Sequence, residues 1–280
     1  MSNILKTILR IVNNPIVDIL THYESNNRAN SAGDALEEYV KDVFADSFHL
    51  EDNEHRDRWS EVFSYLGNQN NPPDAMIKGG DAIETKKIES PGSALALNSS
   101  YPKEKLFSNS PMITKACREC EQWDQKDIIY AVGYVVNRRL KCFWLVYGDC
   151  FSAEKETYEK IKNTISEGIN SIPNVDFRET NELGKVNRVD PLGITDLRIR
   201  GMWHIKNPKI IFDYLNLYST EQDFQLIAIM KKKKFDSFDE SDKNAINNLD
   251  TINFSITDDM IKNPNNPAIL IDCKIIKFWT

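Results

Sequence analysis

Asp74, Glu84 and Lys86 are the residues whose types and spacing could together do chemistry. They lie in one stretch, Asn70 to Ser90, which reads NNPPDAMIKGGDAIETKKIES. Two carboxylates can hold a divalent cation. An ammonium beside them can steady an attacking water, and hydrolysis of a phosphodiester needs that combination. Ala75 to Ile77 fits a short strand, Gly79-Gly80 a turn, and Ala82 to Ile88 a second strand. Side chains alternate faces along a strand, so Glu84 and Lys86 share a face and Lys87 points to the other. The loop length decides where Asp74 falls. A strict two-residue turn turns it away from Glu84. A three-residue loop, Gly79 to Asp81, sets it opposite Lys86 on the shared face, and we expect that parity, from the loop itself or from a bulge. Taken alone, the D-x9-E-x-K spacing also fits an exposed charged hairpin, because 28% of the chain is charged.

Around this hairpin the chain must supply a scaffold. Ile4 to Tyr23 reads as helix, broken at Asn13-Asn14-Pro15, and a polar loop follows from Asn26 to Ser31. Asp34 to Phe48 is an amphipathic helix with Leu36, Val40, Val43 and Phe44 on one face. Glu37 lies at the edge of that face, either as an ordinary boundary residue or within reach of a metal. Asn70 to Pro73 resists regular structure, Leu50 to Arg58 reads as exposed, and Trp59 to Leu66 fits a strand. Pro111 to Trp123 suggests a crossover helix. Asp127 to Val136 and Leu140 to Tyr147 are β-rich runs joined at Asn137-Arg138-Arg139, a hairpin of sheet core. Ala153 to Ile169 is a solvated helix, Ile210 to Tyr218 a packed apolar segment, and Ala268 to Trp279 a strand. The order predicts an α/β fold, a mixed β-sheet flanked by helices.

Composition sets the bounds. The chain has 280 residues, 41% hydrophobic, and 35 Lys and Arg against 42 Asp and Glu, a net charge of −7. That balance bears on non-specific binding and leaves a local DNA cleft open. Five cysteines, an odd count with no signal peptide, point to a reduced, cytoplasmic protein. No apolar run reaches membrane-span length. Cys117-x-x-Cys120 with Cys142 and Cys150 is a weak zinc pattern, and plain thiols fit better. The histidines lack metal-ligand spacing.

Two further segments could meet DNA. Asn98, Ser99 and Ser100 can bond phosphates or base edges, or form a polar turn before Pro102. Glu182 to His204 is dense in hydrogen-bonding groups: Arg188, Arg198, Arg200 and His204 stand out. As a strand it presents Arg198 and Arg200 on one face, to solvent or to guanine. The four lysines from Lys231 to Lys234 fit a solvated run or a phosphate-tracking edge.

Pro73-Asp74 and Glu84-Thr85-Lys86 resemble the PD-(D/E)xK nuclease signature. The phrases GNQNNPPDAMIKGGDAIETKK, ALNSSYPKEKLF and NRVDPLGITDLRIRGMWHI resemble the NgoPII-type restriction endonucleases, over the chain to about Tyr214. The resemblance implies a single endonuclease domain over 1–280, with 182–280 as a DNA-recognition and C-terminal subregion. It implies Mg²⁺-dependent cleavage of double-stranded DNA at a palindromic GGCC by a homodimer. Asp74, Glu84 and Lys86 would be catalytic. Asp74 and Glu84 would hold the metal with Glu37 as a further candidate, since Gly33 and Glu37 match a helix glutamate of these nucleases. Asn98, Ser99, Arg188, Arg198, Arg200 and His204 are the candidate DNA contacts. The alternatives are a structure-selective repair or junction nuclease on the same fold, and a non-catalytic DNA-binding or partner-binding module.

Overall fold

The structure, a computed structural model, describes residues 1–25, 31–68, 71–173, 175–178 and 180–280. Four helices come first: α1 (Ile4–Asn13), α2 (Ile19–Ser25), α3 (Ala32–Ala45) and α4 (Asp52–Val62). Strands β1 (Phe63–Asn68), β2 (Asn71–Ile77) and β3 (Ala82–Ile88) follow. Short β4 (Ala94–Ala96), β5 (Lys105–Phe107) and α5 (Lys115–Glu119) lead to the hairpin β6 (Gln125–Val136) and β7 (Arg139–Tyr147). Then come α6 (Gly148–Phe151), α7 (Lys155–Asn170), β8 (Asp176–Phe177), β9 (Gly184–Asn187), β10 (Leu197–Ile199) and β11 (His204–Lys206). The chain ends with α8 (Pro208–Ile211), β12 (Gln225–Lys231), α9 (Lys232–Asp236), α10 (Glu240–Asn247), β13 (Phe254–Asn263) and β14 (Asn266–Trp279).

One nine-stranded sheet runs β1-β2-β3-β6-β7-β12-β14-β13, with β5 joined to β6. β3 pairs β6 in parallel and β7 pairs β12 in parallel, while the other neighbours are antiparallel. This is the mixed, helix-flanked sheet the sequence implied, a restriction-endonuclease-like layout. The β6–β7 hairpin turns at Asn137 and Arg138, both at positive φ (48° and 73°) as a tight hairpin turn requires. Its near-continuous apolar run is buried because helices and loops cover the sheet. α3 packs across β3 and β6. It can come close because β6 carries Gly133, where an added Cβ would sit only 2.6 Å from Leu36 Cδ1. α3 is capped by Ser31 Oγ, which accepts from Asp34 N–H at 3.2 Å. Of the polar loop expected from Asn26 to Ser31, residues 26–30 lie outside the described residues, and Ser31 is the cap of α3.

Several expectations need correction. The expected strand from Trp59 begins only at Phe63, because α4 runs through Val62. Tertiary contacts set that: His55 Nε2 and Trp59 Nε1, one helical turn apart, both bond the buried Asp42 Oδ1 of α3, at 2.6 and 3.1 Å. The crossover helix shrinks to the five residues of α5, whose start is fixed by Thr114 Oγ1 accepting from Cys117 N–H at 3.0 Å. Residues 71–73 join β2 rather than resisting strand structure. The run Lys231 to Lys234 is solvated only in part: Lys233 is exposed, while the other three lysines enter ion pairs. Lys231 pairs Asp149 at 3.0 Å, Lys232 pairs Asp258 at 3.1 Å, and Lys234 bridges Asp81 and Asp127 at 2.7 and 2.6 Å.

Two small sheets lie beside the large one. β10-β9-β8 form a three-stranded sheet, and β11 pairs β4. The β4–β11 pairing joins segments about a hundred positions apart, Ala96 to His204 and Ala94 to Lys206. It thereby sets the turn after β4 beside the chain leaving β10.

Candidate active site

The β2–β3 hairpin is built around Gly79 at φ 63°. Its loop has three residues, Lys78 to Gly80, closed by Ile77 N–H donating to the Asp81 carbonyl at 3.0 Å. The parity is the expected one, but the register is not. The rungs are Met76–Ala82 and Ala75–Ile83, so the next position sets Asp74 beside Glu84 instead of Lys86. The glycine that takes the left-handed conformation sits at the middle of the loop, which moves the loop back by one residue on each side.

After those two rungs the ladder opens at Asp74. Asp74 Oδ2 accepts from the Thr85 N–H at 2.6 Å, so a side-chain carboxylate serves the β3 backbone. On its other side β2 is pressed by β1. A Cβ on Gly67 would lie 2.3 Å from the Pro73 carbonyl oxygen and 3.0 Å from Asp74 Cα. The acid is therefore held between a bare glycine on β1 and a backbone donor on β3.

Glu84 and Lys86 share a face, and Lys86 Nζ reaches Glu84 Oε1 at 2.6 Å. Lys87 alternates away and pairs Glu89 at 2.6 Å. Burial, with the adjacent Glu84 next in weight, pushes the Asp74 carboxyl up to about 8. Burial alone would depress the Lys86 ammonium, but Glu84 and Asp74 outweigh it and hold the ammonium charged. Glu84 Oε2 is buried and accepts no hydrogen bond from any described residue. Two carboxylates thus face one ammonium, with a buried oxygen lone pair left over. A hard cation with oxygen ligands fits that donor set. Asp74 and Glu84 would hold it.

Glu37 is part of the same electrostatic neighbourhood. Burial raises its carboxyl, while Lys41 and Lys86 pull it down. It does not complete a ligand cluster: among the described residues no three His, Cys, Asp or Glu side chains lie close enough to hold a metal. The same holds for the cysteine pattern, whose thiols are all free.

Lys103 is a residue the sequence reading passed over. Its buried ammonium donates to Ser100 Oγ and to the Tyr101 carbonyl at 3.3 Å, and lies 4.8 Å from the Tyr101 ring centre. Burial lowers it to about 8, against the opposing pull of Glu84. The only signal was its place inside the phrase ALNSSYPKEKLF.

With this geometry in place, comparison with known proteins is decisive. The family model described as NgoPII restriction endonuclease matches residues 2–262. The chain belongs to the NgoPII restriction endonuclease family. It is 52% identical over 277 residues to the type II restriction enzyme NgoPII of Neisseria gonorrhoeae, covering 99% of both chains. The likeness thus runs past Tyr214, through the C-terminal strands. No solved structure matches.

In this NgoPII-family chain the candidate DNA contacts separate into two groups. Asn98, Ser99, Arg198 and Arg200 line one cleft of about 820 Å³, together with Asn71, Glu182 and Met202. Asn71 lies three residues before Asp74 on β2, so the cleft reaches the strand that carries Asp74. The β4–β11 pairing brings the two polar segments together, with Trp203 N–H donating to the Asn98 carbonyl at 2.9 Å. Arg198 and Arg200 are both more than half exposed and both pair with Glu182. Arg188 and His204 stand outside this cleft lining. Arg188 sits at φ 52°, its N–H bonded to Asp196 Oδ1 at 3.3 Å, and His204 is exposed opposite Ala96.

Proposed function

We propose that this chain, a site-specific restriction endonuclease by family, cuts duplex DNA at the palindrome GGCC with Mg²⁺ and works as a cytoplasmic homodimer. Its catalytic group is Asp74, Glu84 and Lys86, within a single endonuclease domain over 1–280 whose 182–280 part contributes to DNA recognition. The observation that carries this reading is the convergence of the three groups: Asp74 Oδ2 accepts from the N–H of Thr85, the residue between Glu84 and Lys86, at 2.6 Å, and Lys86 Nζ lies 2.6 Å from Glu84 Oε1. The GGCC assignment rests on the resemblance to the NgoPII-type enzymes. No helix of the described residues is long and apolar enough to cross a membrane.

Asp74 and Glu84 would hold the cation, and the unbonded Glu84 Oε2 supports that role. Bound there, Mg²⁺ supplies Lewis-acid stabilisation of charge on the phosphoryl oxygens. Thr85 N–H orients the Asp74 carboxylate. Lys86, held charged by its two acidic neighbours, acts as a cationic donor that orients water and stabilises negative charge building on the phosphate. Glu37 tunes that charge from α3 and is the candidate for a further, indirect metal contact. Asn98, Ser99, Arg198 and Arg200 would meet bases and phosphates in the cleft, with Arg188 and His204 contacting DNA from outside it. A twofold homodimer lets each subunit read one half of a palindrome and cut one strand.

A plasmid with mapped GGCC sites tests the reading. With Mg²⁺ the protein should give the fragment pattern of those sites, and EDTA should stop it. Cleavage at branched junctions but not at GGCC, or full cleavage in EDTA, overturns it.

A further inference from the structure

Glu182 joins two arginines that face the cleft. Its carboxylate takes Arg198 side-on: Nη2 to Oε1 at 2.8 Å and Nε to Oε2 at 3.1 Å. It takes Arg200 through Nε to Oε1 at 2.8 Å. The arginine side chains are 56% and 59% exposed, whereas the Glu182 side chain is 14% exposed. One shielded carboxylate thus gathers two exposed guanidiniums.

The backbone around Glu182 is tied down. Glu182 N–H donates to Thr180 Oγ1 at 3.1 Å, and Leu183 N–H donates to the Ile199 carbonyl at 3.1 Å, between the two arginines. Ser166 Oγ of α7 donates to the Leu183 carbonyl at 2.8 Å. Asn181 Nδ2 donates to the Pro111 carbonyl at 3.3 Å. The carboxylate is therefore a fixed point to which both arginines are referred.

We propose that Glu182 is a positioning residue for base reading, holding Arg198 and Arg200 in a paired orientation that presents their remaining N–H groups to guanine. This rests on the reading of the cleft as the DNA-recognition site. With Nε and one Nη2 hydrogen of Arg198 engaged, its Nη1 and the other Nη2 hydrogen remain, as do both terminal nitrogens of Arg200. A guanidinium edge can bond guanine O6 and N7 together, which is worth most when the fork is fixed before DNA arrives. An exposed ion pair contributes little to folding stability, so a purely structural role predicts no effect on sequence preference. The carboxylate also carries charge that opposes phosphates. A mere electrostatic guard would weaken binding to every sequence alike.

The test measures binding in Ca²⁺, at fixed salt, to a duplex carrying the sequence the wild type cuts and to a scrambled duplex. Glu182→Ala should lower the cognate-to-scrambled ratio roughly tenfold or more, the loss expected when bidentate base contacts go. Glu182→Gln, which keeps one acceptor oxygen, should fall between Ala and wild type, and both should melt near wild type. In an Arg198→Ala, Arg200→Ala background, Glu182→Ala should cause no further loss of preference. A ratio unchanged in Glu182→Ala while Arg198→Ala or Arg200→Ala lowers it overturns the role of Glu182 alone. Equal tightening on both duplexes identifies a guard and also overturns it. Full preference in both arginine variants overturns this proposal together with the reading of the cleft.

Discussion

Replacing Gly67 with alanine tests whether close approach of β1 sets the catalytic acid. The added methyl would lie 2.3 Å from the Pro73 carbonyl oxygen and 3.0 Å from both Asp74 Cα and the Asp74 carbonyl oxygen. All three are backbone atoms, so no side chain can swing aside. Reaching ordinary contact at 3.4 Å requires the strands to part by roughly 1 Å. Asp74 lies between β1 and β3, so the share of that shift taken by β2 drives it out of its place against the Thr85 N–H, which donates to it at 2.6 Å. A displacement of that size in a catalytic group can cost about 10²-fold in rate, and overpacking costs about 1–3 kcal/mol of stability. Gly67→Ala should therefore cleave about 10²-fold more slowly in single turnover, yet fold and bind the cognate duplex in Ca²⁺. Gly168→Ala on α7, where an added Cβ meets nothing within 4 Å, is the control. It should leave cleavage unchanged and stabilise by about 0.5–1 kcal/mol. If Gly67→Ala cleaves at the wild-type rate with an unaltered melting temperature, β1 does not position Asp74.

Asp74→Ala, Glu84→Ala and Lys86→Ala should each abolish plasmid cleavage while retaining DNA binding. Lys87→Ala, whose lysine pairs with Glu89 on the other face, should cut far better than Lys86→Ala, and equal inactivity of the two lysine variants would refute the face assignment. Ca²⁺ should support cognate binding without turnover, because it favours more ligands and looser geometry than Mg²⁺; gel-shift and digest in parallel check this, and efficient cutting in Ca²⁺ alone counts against it. In EDTA, burial and Glu84 raise Asp74 from an ordinary 3.8 to about 8. A raised carboxyl contributes stability below its ordinary value and loses it as pH rises through the raised one. Melting temperature without metal should thus fall between pH 5 and pH 8.5, less so in Asp74→Asn, and parallel curves for the two proteins would exclude Asp74 as the source.

The sheet and the face shared by Asp74, Glu84 and Lys86 were legible because both rest on short-range rules. Alternation alone put Glu84 with Lys86 and Lys87 apart. Parity alone put Asp74 on their face, since moving a three-residue loop by one position keeps the sum of paired positions even. What parity cannot give is the partner. Asp74 meets Glu84 because Gly79, not Gly80, takes the positive φ. That choice lies between two adjacent glycines that the sequence does not distinguish. Its consequence is chemical: the two carboxylates become neighbours, and Glu84 adds to burial in raising Asp74. The end of α4 was illegible for another reason. Val62 and Phe63 suit a strand locally, but His55 and Trp59 are bound to Asp42 from a different helix, a contact that periodicity does not announce.

Charge patterning was least legible, and the reason bears on how an acidic chain can hold DNA. Four consecutive lysines fit a solvated run or a phosphate-tracking edge, yet Lys231, Lys232 and Lys234 point to Asp149, Asp258, and Asp81 with Asp127. Lys105 reaches Asp127 and Asp149 in the same network. These lysines and aspartates neutralise one another away from the cleft, around β6, β12 and α9, and so lend it no positive edge. The guanidiniums of Arg198 and Arg200 come from a segment with no run of like charge, and only the β4–β11 pairing sets them beside Asn98 and Ser99. With the cleft as the proposed DNA site, the field a DNA backbone would meet there is that of exposed arginines above a recessed carboxylate. Net charge averages that field away, and strand pairing between positions a hundred residues apart determines it.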